Sequence, residues 1–234
     1  MGNMGLQHLE LVRPVDFLND EAFARSAGNE QILQDARVRY DLNDAIGDCQ
    51  MVIGTSARSR TVSWPTQSPE ASMRSAVIAS DAGRNVALLF GPERTGLANH
   101  HVDRCDVLVR IPVNPESPSI NLAGAVLVML YEVRKAMDSR CDSSLLIGES
   151  NAGARPATSA QLSGFFDHME RVVRETGFIT EGPRESLLRK IRRIFVRSGM
   201  TDEDVNILRG VFTAILKQRP AAVRKSSLDD GHSS

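Results

Sequence analysis

The chain has 234 residues, 41% of them apolar and 24% charged, with a formal net charge of −1. That profile is a globular protein of one large domain, or a medium domain plus a smaller unit, and it excludes a disordered chain. It also excludes a globally basic nucleic-acid binder, so any RNA contact must rest on a local basic patch.

Leu9-Glu10-Leu11-Val12 is a short strand-like run closed by Arg13-Pro14. Residues 21–39 read as one irregular helix, with Ala22, Ala24 and Ala36 favouring it. A second strand, 50–54, runs straight into Thr55-Ser56-Ala57-Arg58. Ser68-Pro69-Glu70-Ala71 is a helix start with proline at the first helical position. Residues 85–90 are the clearest strand, nearly all apolar, and read as buried on both faces. Residues 107–112 form the next strand, and Asn121 opens a strong helix to about Met137. Strands alternating with helices predict an α/β fold with a mostly parallel sheet. Residues 139–160 are rich in Ser, Gly, Ala and Asn and read as a linker.

Helical patterning resumes at Leu162, where Leu162, Phe165, Phe166, Met169 and Val173 share one face. Leu187, Leu188, Ile191, Ile194 and Phe195 form a second apolar face. Thr201 caps a third helix whose face is Val205, Leu208, Val211, Phe212 and Leu216. A small all-helical unit therefore spans 161–218, followed by a polar tail, 219–234, expected to be disordered.

Cys49, Cys105 and Cys141 include no CxxC pair, and the five histidines lack ligand spacing. No metal site or disulfide framework is expected, and a reducing cytoplasm is the simplest compartment. No apolar run approaches the roughly 20 residues of a membrane span, and no secretory signal is visible. Membrane and metal partners are therefore not expected.

In a parallel sheet, ligands bind beyond the carboxyl ends of the strands. Three unusual loops leave such ends: 55–58, 91–96 and 112–119. Glycines 91 and 96 permit close backbone approach to a ligand, and three prolines stiffen the third loop. One such loop is an ordinary turn, but three after successive strands make a site. Arg184, Arg189, Lys190, Arg192, Arg193 and Arg197 form the one local basic cluster. On a helix they would face outward, opposite the apolar face, and suit a phosphate backbone; a plain solvated face is the rival reading.

The sequence Phe90-Gly91-Pro92-Glu93-Arg94-Thr95-Gly96-Leu97 resembles the second motif, F-G-x-E-x-x-G-L, of the SpoU/TrmH (SPOUT) class of RNA ribose methyltransferases. Ile111-Pro112 and Ser119-Ile120-Asn121-Leu122-Ala123, with a helix ending in Tyr131-Glu132, resemble its third motif. Asn114-Pro115-Glu116 and Gly54-Thr55-Ser56-Ala57-Arg58 are similar to the TrmJ-type branch. The resemblance covers residues 1–138 and implies a SpoU-type domain with a deep trefoil knot, an exception to the rule against threaded chains.

It implies S-adenosyl-L-methionine as cofactor, held by Thr55, Ser56, Ala57, Gly91, Ile111, Pro112, Ser119, Ile120 and Asn121. Ser119, Asn121 and Glu93 are the expected catalytic residues, and Arg58, Arg94, Arg189 and Arg193 the expected RNA contacts. The implied function is methylation of a ribose 2′-hydroxyl, at nucleotide 32 of the tRNA anticodon loop, by a cytoplasmic homodimer whose partner is tRNA. The branch carries an aromatic and then a small residue where this chain has Ser117-Pro118, which bears on nucleoside preference.

Met1-Gly2-Asn3-Met4-Gly5 matches only the end of the first motif, N-x-G-A-x-A-R-A-M-x-x-M-G. The arginine to which the family assigns proton handling would lie upstream of Met1, as would the first strand. The 234-residue form is accordingly expected to bind cofactor weakly and to have little activity. Two alternatives stay open from sequence: the same chemistry on rRNA or another tRNA position, and a defective RNA- or cofactor-binding remnant.

Overall fold

The computed structural model describes residues 1–57, 64–116, 120–139, 155–179 and 184–218. The chain begins with a 3-10 turn at Gly2–Met4 and the strand β1, Glu10–Val12. Residues 21–39 are not one helix. They form α1 (Asp20–Arg25), α2 (Glu30–Gln34) and a strand, β2 (Arg37–Arg39), parallel to β1. Ala27 and Gly28 both take positive φ, 50° and 84°, and this turn stops the helix. Strand β2 is three residues with one apolar side chain, too short a run to betray it. Glu10 holds it, accepting from Arg39 at 2.7 Å and facing Arg37 at 3.7 Å.

A short helix, α3 (Leu42–Ile46), follows, its first turn capped by the Asp41 carboxylate, which accepts the Asn43 N–H at 2.7 Å. Then come β3 (Met51–Thr55), β4 (Thr66–Gln67) and α4 (Pro69–Asp81). Ser68 caps α4 and Pro69 fills its first position, as the sequence predicts. Next are β5 (Val86–Leu89), α5 (Asn99–Val102), β6 (Val107–Val109) and α6 (Leu122–Asp138). The main sheet is all parallel in the order β4-β6-β3-β5.

The expectation of full burial for 85–90 needs correction. β5 lies at the edge of this sheet, and all four of its residues are only partly buried. The strand is apolar because Ala87 and Leu89 pack on one core cluster and Val86 and Leu88 on another.

Those two cores lie on opposite faces of the sheet. One gathers Leu42, Ile46, Val52, Trp64, Leu97, Val102 and Cys105. The single tryptophan is 5% exposed, and its indole N–H donates to the Cys105 carbonyl at 2.9 Å. The other core sets Met73, Ala76 and Val77 of α4 and Met129 and Val133 of α6 against Ile53, Val107 and Val109.

The helical unit is α7 (Ser159–Glu175), α8 (Arg184–Ser198) and α9 (Asp202–Lys217). Phe165 is its centre, with Phe166 and Phe195 edge-on at 5.1 Å and Phe212 stacked at 5.5 Å. Capping boxes open α7 at Thr158 and α9 at Thr201. The unit is tied to the α/β part by backbone bonds from Ser159 to Cys49 and from Ala160 to Gly47, and by Val196 packing on the first core.

Candidate active site

The carboxyl ends of β3, β5 and β6 open on a cleft of about 220 Å³, placed where parallel sheets bind ligands. Its floor is backbone. The Ser56 N–H donates to the Val109 carbonyl at 3.0 Å, and the Thr55 hydroxyl donates to the Leu89 carbonyl at 3.1 Å, so the three strand ends are locked together. Beyond β5 the chain folds back on itself: the Gly96 N–H donates to the Pro92 carbonyl at 2.8 Å, with Gly96 at φ 63°. Gly91 lies so close under the returning chain that a Cβ there would sit 2.2 Å from the Gly96 carbonyl carbon and 2.3 Å from the Leu97 nitrogen. Only glycine allows that approach.

Of the expected cofactor contacts, Thr55, Ser56, Ala57, Gly91, Ile111 and Ile120 line the cleft. Glu93 and Arg94 line it as well, both on the exposed rim. Pro112 and Asn121 do not form its wall. Pro112 is exposed in the segment after β6, and the Asn121 side chain accepts the Gly124 N–H at 2.7 Å as the cap of α6. Arg58 and Ser119 lie outside the described residues, as do the Ser117-Pro118 pair, Cys141 and the 219–234 tail. The sequence reading missed an apolar wall of Leu97, Val109, Val113, Leu122 and Ala125. Such residues carry no chemical signature, and only Leu97 and Leu122 fell inside a motif.

The basic cluster on α8 is not one outward face. Arg189 meets Asp103 at 2.8 Å with its side chain 15% exposed, and Arg192 donates to the Asp103 carbonyl at 3.0 Å. Arg192 also lies 4.3 Å over the Phe166 ring, and burial lowers its pKa. Arg104 bonds the Ser163 hydroxyl across the same seam. Conversely, Leu187 and Ile194, assigned to the core face, are exposed. The helix is rotated from the expected setting, because guanidiniums with acidic and carbonyl partners can be buried along with their apolar stems. Arg189 therefore faces the protein. Arg193 is half-buried, while Lys190 and Arg197 are exposed.

No helix among the described residues is long and apolar enough to cross a membrane, and no group of three or more His, Cys, Asp or Glu side chains among them is placed to hold a metal.

Residues 1–131 match the model of the SpoU rRNA Methylase family, and residues 160–226 match the C-terminal domain of tRNA methyltransferase TrmJ. A tRNA (cytidine/uridine-2′-O-)-methyltransferase TrmJ of Yersinia enterocolitica is 41% identical over 219 residues, 93% of this chain and 84% of that protein. A tRNA (cytidine/uridine/adenosine-2′-O-)-methyltransferase TrmJ of Pseudomonas aeruginosa is 37% identical over 227 residues, 93% of this chain and 86% of that protein. The crystal structure of TrmJ from Z. mobilis superposes with a TM-score of 0.75 at 30% identity, covering 92% of this chain and 90% of that one. With residues 91–97, Ile111, Val113 and Ile120 of the motif segments around one cleft at the strand ends, this chain belongs to the SpoU methylase family and to its TrmJ branch.

Proposed function

We propose that the protein methylates the 2′-hydroxyl of a ribose in tRNA, at nucleotide 32 of the anticodon loop, using S-adenosyl-L-methionine. The observation that carries this reading is the backbone cradle at Gly91: with no side chain there, the returning Gly96-Leu97 chain closes against it and forms one side of the cleft at the strand ends. The cradle suits the cofactor. An adenosine needs a flat apolar slot and backbone hydrogen-bonding groups. The cleft supplies Leu97, Leu122 and Ala125 for the first and the chain at 55–57 and 111–113 for the second. When bound, S-adenosyl-L-methionine supplies an electrophilic methyl group.

The chain's own residues then bind and orient. Thr55, Ser56, Ala57, Gly91, Ile111 and Ile120, on the cleft wall, are the proposed cofactor contacts, with Pro112, Ser119 and Asn121 added from the motif resemblance alone. Glu93 and Arg94 stand on the rim, where a ribose and its phosphate would enter, and Glu93, Ser119 and Asn121 are the proposed catalytic groups. Holding the ribose oxygen in line converts a bimolecular encounter into an oriented one. The 2′-hydroxyl proton must leave as the methyl arrives. The trefoil knot belongs to this proposal, formed by the loops 91–96 and 112–119 with α6. So does a homodimer, for which α6 offers the exposed apolar residues Leu127 and Tyr131.

The test is to map ribose methylation in RNA from a strain lacking the gene and from one with it restored. Loss of the mark at tRNA nucleotide 32, and its return, is the expected result. The matched family model is described by rRNA methylation. A mark lost from rRNA with tRNA unchanged would replace the tRNA reading, and no change in either RNA would overturn the function.

A further inference from the structure

Arg13 and Tyr40 stand one residue past the carboxyl ends of the parallel strands β1 and β2. Tyr40 is 85% exposed, so its ring is offered to solvent rather than packed. The Arg13 guanidinium carbon lies 5.9 Å from the centre of that ring, and its Nε donates to the Tyr40 carbonyl at 2.6 Å. The Arg13 backbone N–H donates to the Arg39 carbonyl at 3.0 Å. Arg13 reaches this position only by adopting φ 49°, a left-handed setting that residues with a Cβ rarely take. An arginine pinned at two points beside an open aromatic ring is an ordered arrangement, not a loose surface side chain. Arg37 and Arg39 both face Glu10, whereas among the described residues no carboxylate pairs with Arg13.

This pair sits on the same scaffold as the cleft. Leu42, two residues after Tyr40, packs in one core cluster with Leu97, a wall of the cleft. Asp41 lies close enough to His101, on α5, to raise its pKa against the lowering effect of burial and His100.

We infer that Arg13 and Tyr40 form a nucleotide platform. An unpaired base of the bound RNA stacks on Tyr40, and an adjoining phosphate pairs with Arg13. A flat ring takes any base, and a fixed guanidinium takes the charge that accompanies it. The inference rests on the tRNA reading above and adds to it a contact outside the cofactor cleft.

The experiment measures tRNA binding by the full chain, by fluorescence anisotropy over a salt series, with S-adenosyl-L-methionine binding followed in parallel by calorimetry. Tyr40→Ala weakens tRNA binding about tenfold, as loss of one stacked base does. Tyr40→Phe stays within about twofold, because the ring remains. Arg13→Gln weakens binding and lowers the slope of log affinity against log salt by about one phosphate contact. Cofactor affinity is unchanged in all three. If the wild-type chain binds tRNA and Tyr40→Ala and Arg13→Gln bind it equally well, the platform is overturned and the functional reading stands. If the wild-type chain binds no tRNA, both fall. A matching loss of cofactor affinity would make the effect one of folding and overturn the platform. A changed sedimentation coefficient for Tyr40→Ala with unchanged tRNA affinity would do the same in favour of a protein contact.

Discussion

Arg189 of α8 and Asp103, at the end of α5, meet at 2.8 Å with side chains 15% and 17% exposed. The pair joins the helical unit to the α/β part, and Arg192 reinforces it through the Asp103 carbonyl. Truncating either partner leaves the other charge buried without its counter-ion. Arg189→Ala or Asp103→Ala should lower stability by about 3 kcal/mol, read from urea unfolding. Arg189→Ala protein that remains folded should show the wild-type salt dependence of tRNA binding. A drop in the salt slope without loss of stability would return Arg189 to the RNA contacts.

The sequence made β3, β5 and β6 legible because their apolar runs are short and bounded by turn residues, and the loops after them carry motif residues. Strand β2 was not legible. Arg37-Val38-Arg39 becomes a strand through Glu10, a partner 29 residues from Arg39. The rotation of α8 was hidden for a similar reason: helical periodicity counts arginine as polar, while Asp103 and the Phe166 ring make two of them interior. Local pattern cannot report a partner that the fold supplies. The chemical rim of the cleft was readable from Glu93 and Arg94. Its apolar wall was not, since Val109 or Leu122 in a binding cleft looks the same in sequence as Val107 or Leu130 in a core.

Gly91 is the sharpest test of the cleft. Gly91→Ala places a methyl group against the backbone of Gly96 and Leu97, which cannot move aside as a flexible side chain would. Overpacking of this kind costs about 1–3 kcal/mol. Because the strain falls on the cleft loop, S-adenosyl-L-methionine affinity should fall at least about tenfold. Calorimetry on the variant, beside circular dichroism to confirm the fold, checks this. Wild-type affinity in a folded Gly91→Ala protein would remove the cradle from the cofactor site.

Leu127 and Tyr131 are four residues apart on α6 and are 58% and 55% exposed. Paired on one face of a helix, they expose apolar area that a second copy would cover. Leu127→Glu should convert a dimer to a monomer in light scattering at micromolar concentration, with little change in the stability of the monomer. A wild-type chain that is already monomeric, or a variant that remains dimeric, would exclude this face.

Asp106, just before β6, accepts the Val52 N–H at 2.7 Å and borders a small cleft between the two parts of the molecule. Burial pushes its carboxyl up to about 6, against the opposing pull of the Val52 hydrogen bond. In the unfolded chain the group titrates near 4. Between roughly pH 4 and pH 6 the folded protein therefore holds a proton that the unfolded chain has lost, and this group's contribution to stability falls as pH rises. Asp106→Asn keeps an oxygen for the Val52 N–H but has no proton to lose. Relative to wild type, the variant should gain about 2 kcal/mol on going from pH 4 to pH 7, somewhat less than full burial would give because Asp106 still opens on the cleft. Urea unfolding of both proteins across that range gives the difference directly, with other carboxylates cancelling. Parallel stability curves would mean that Asp106 titrates normally and that its burial is relieved by solvent entering the cleft.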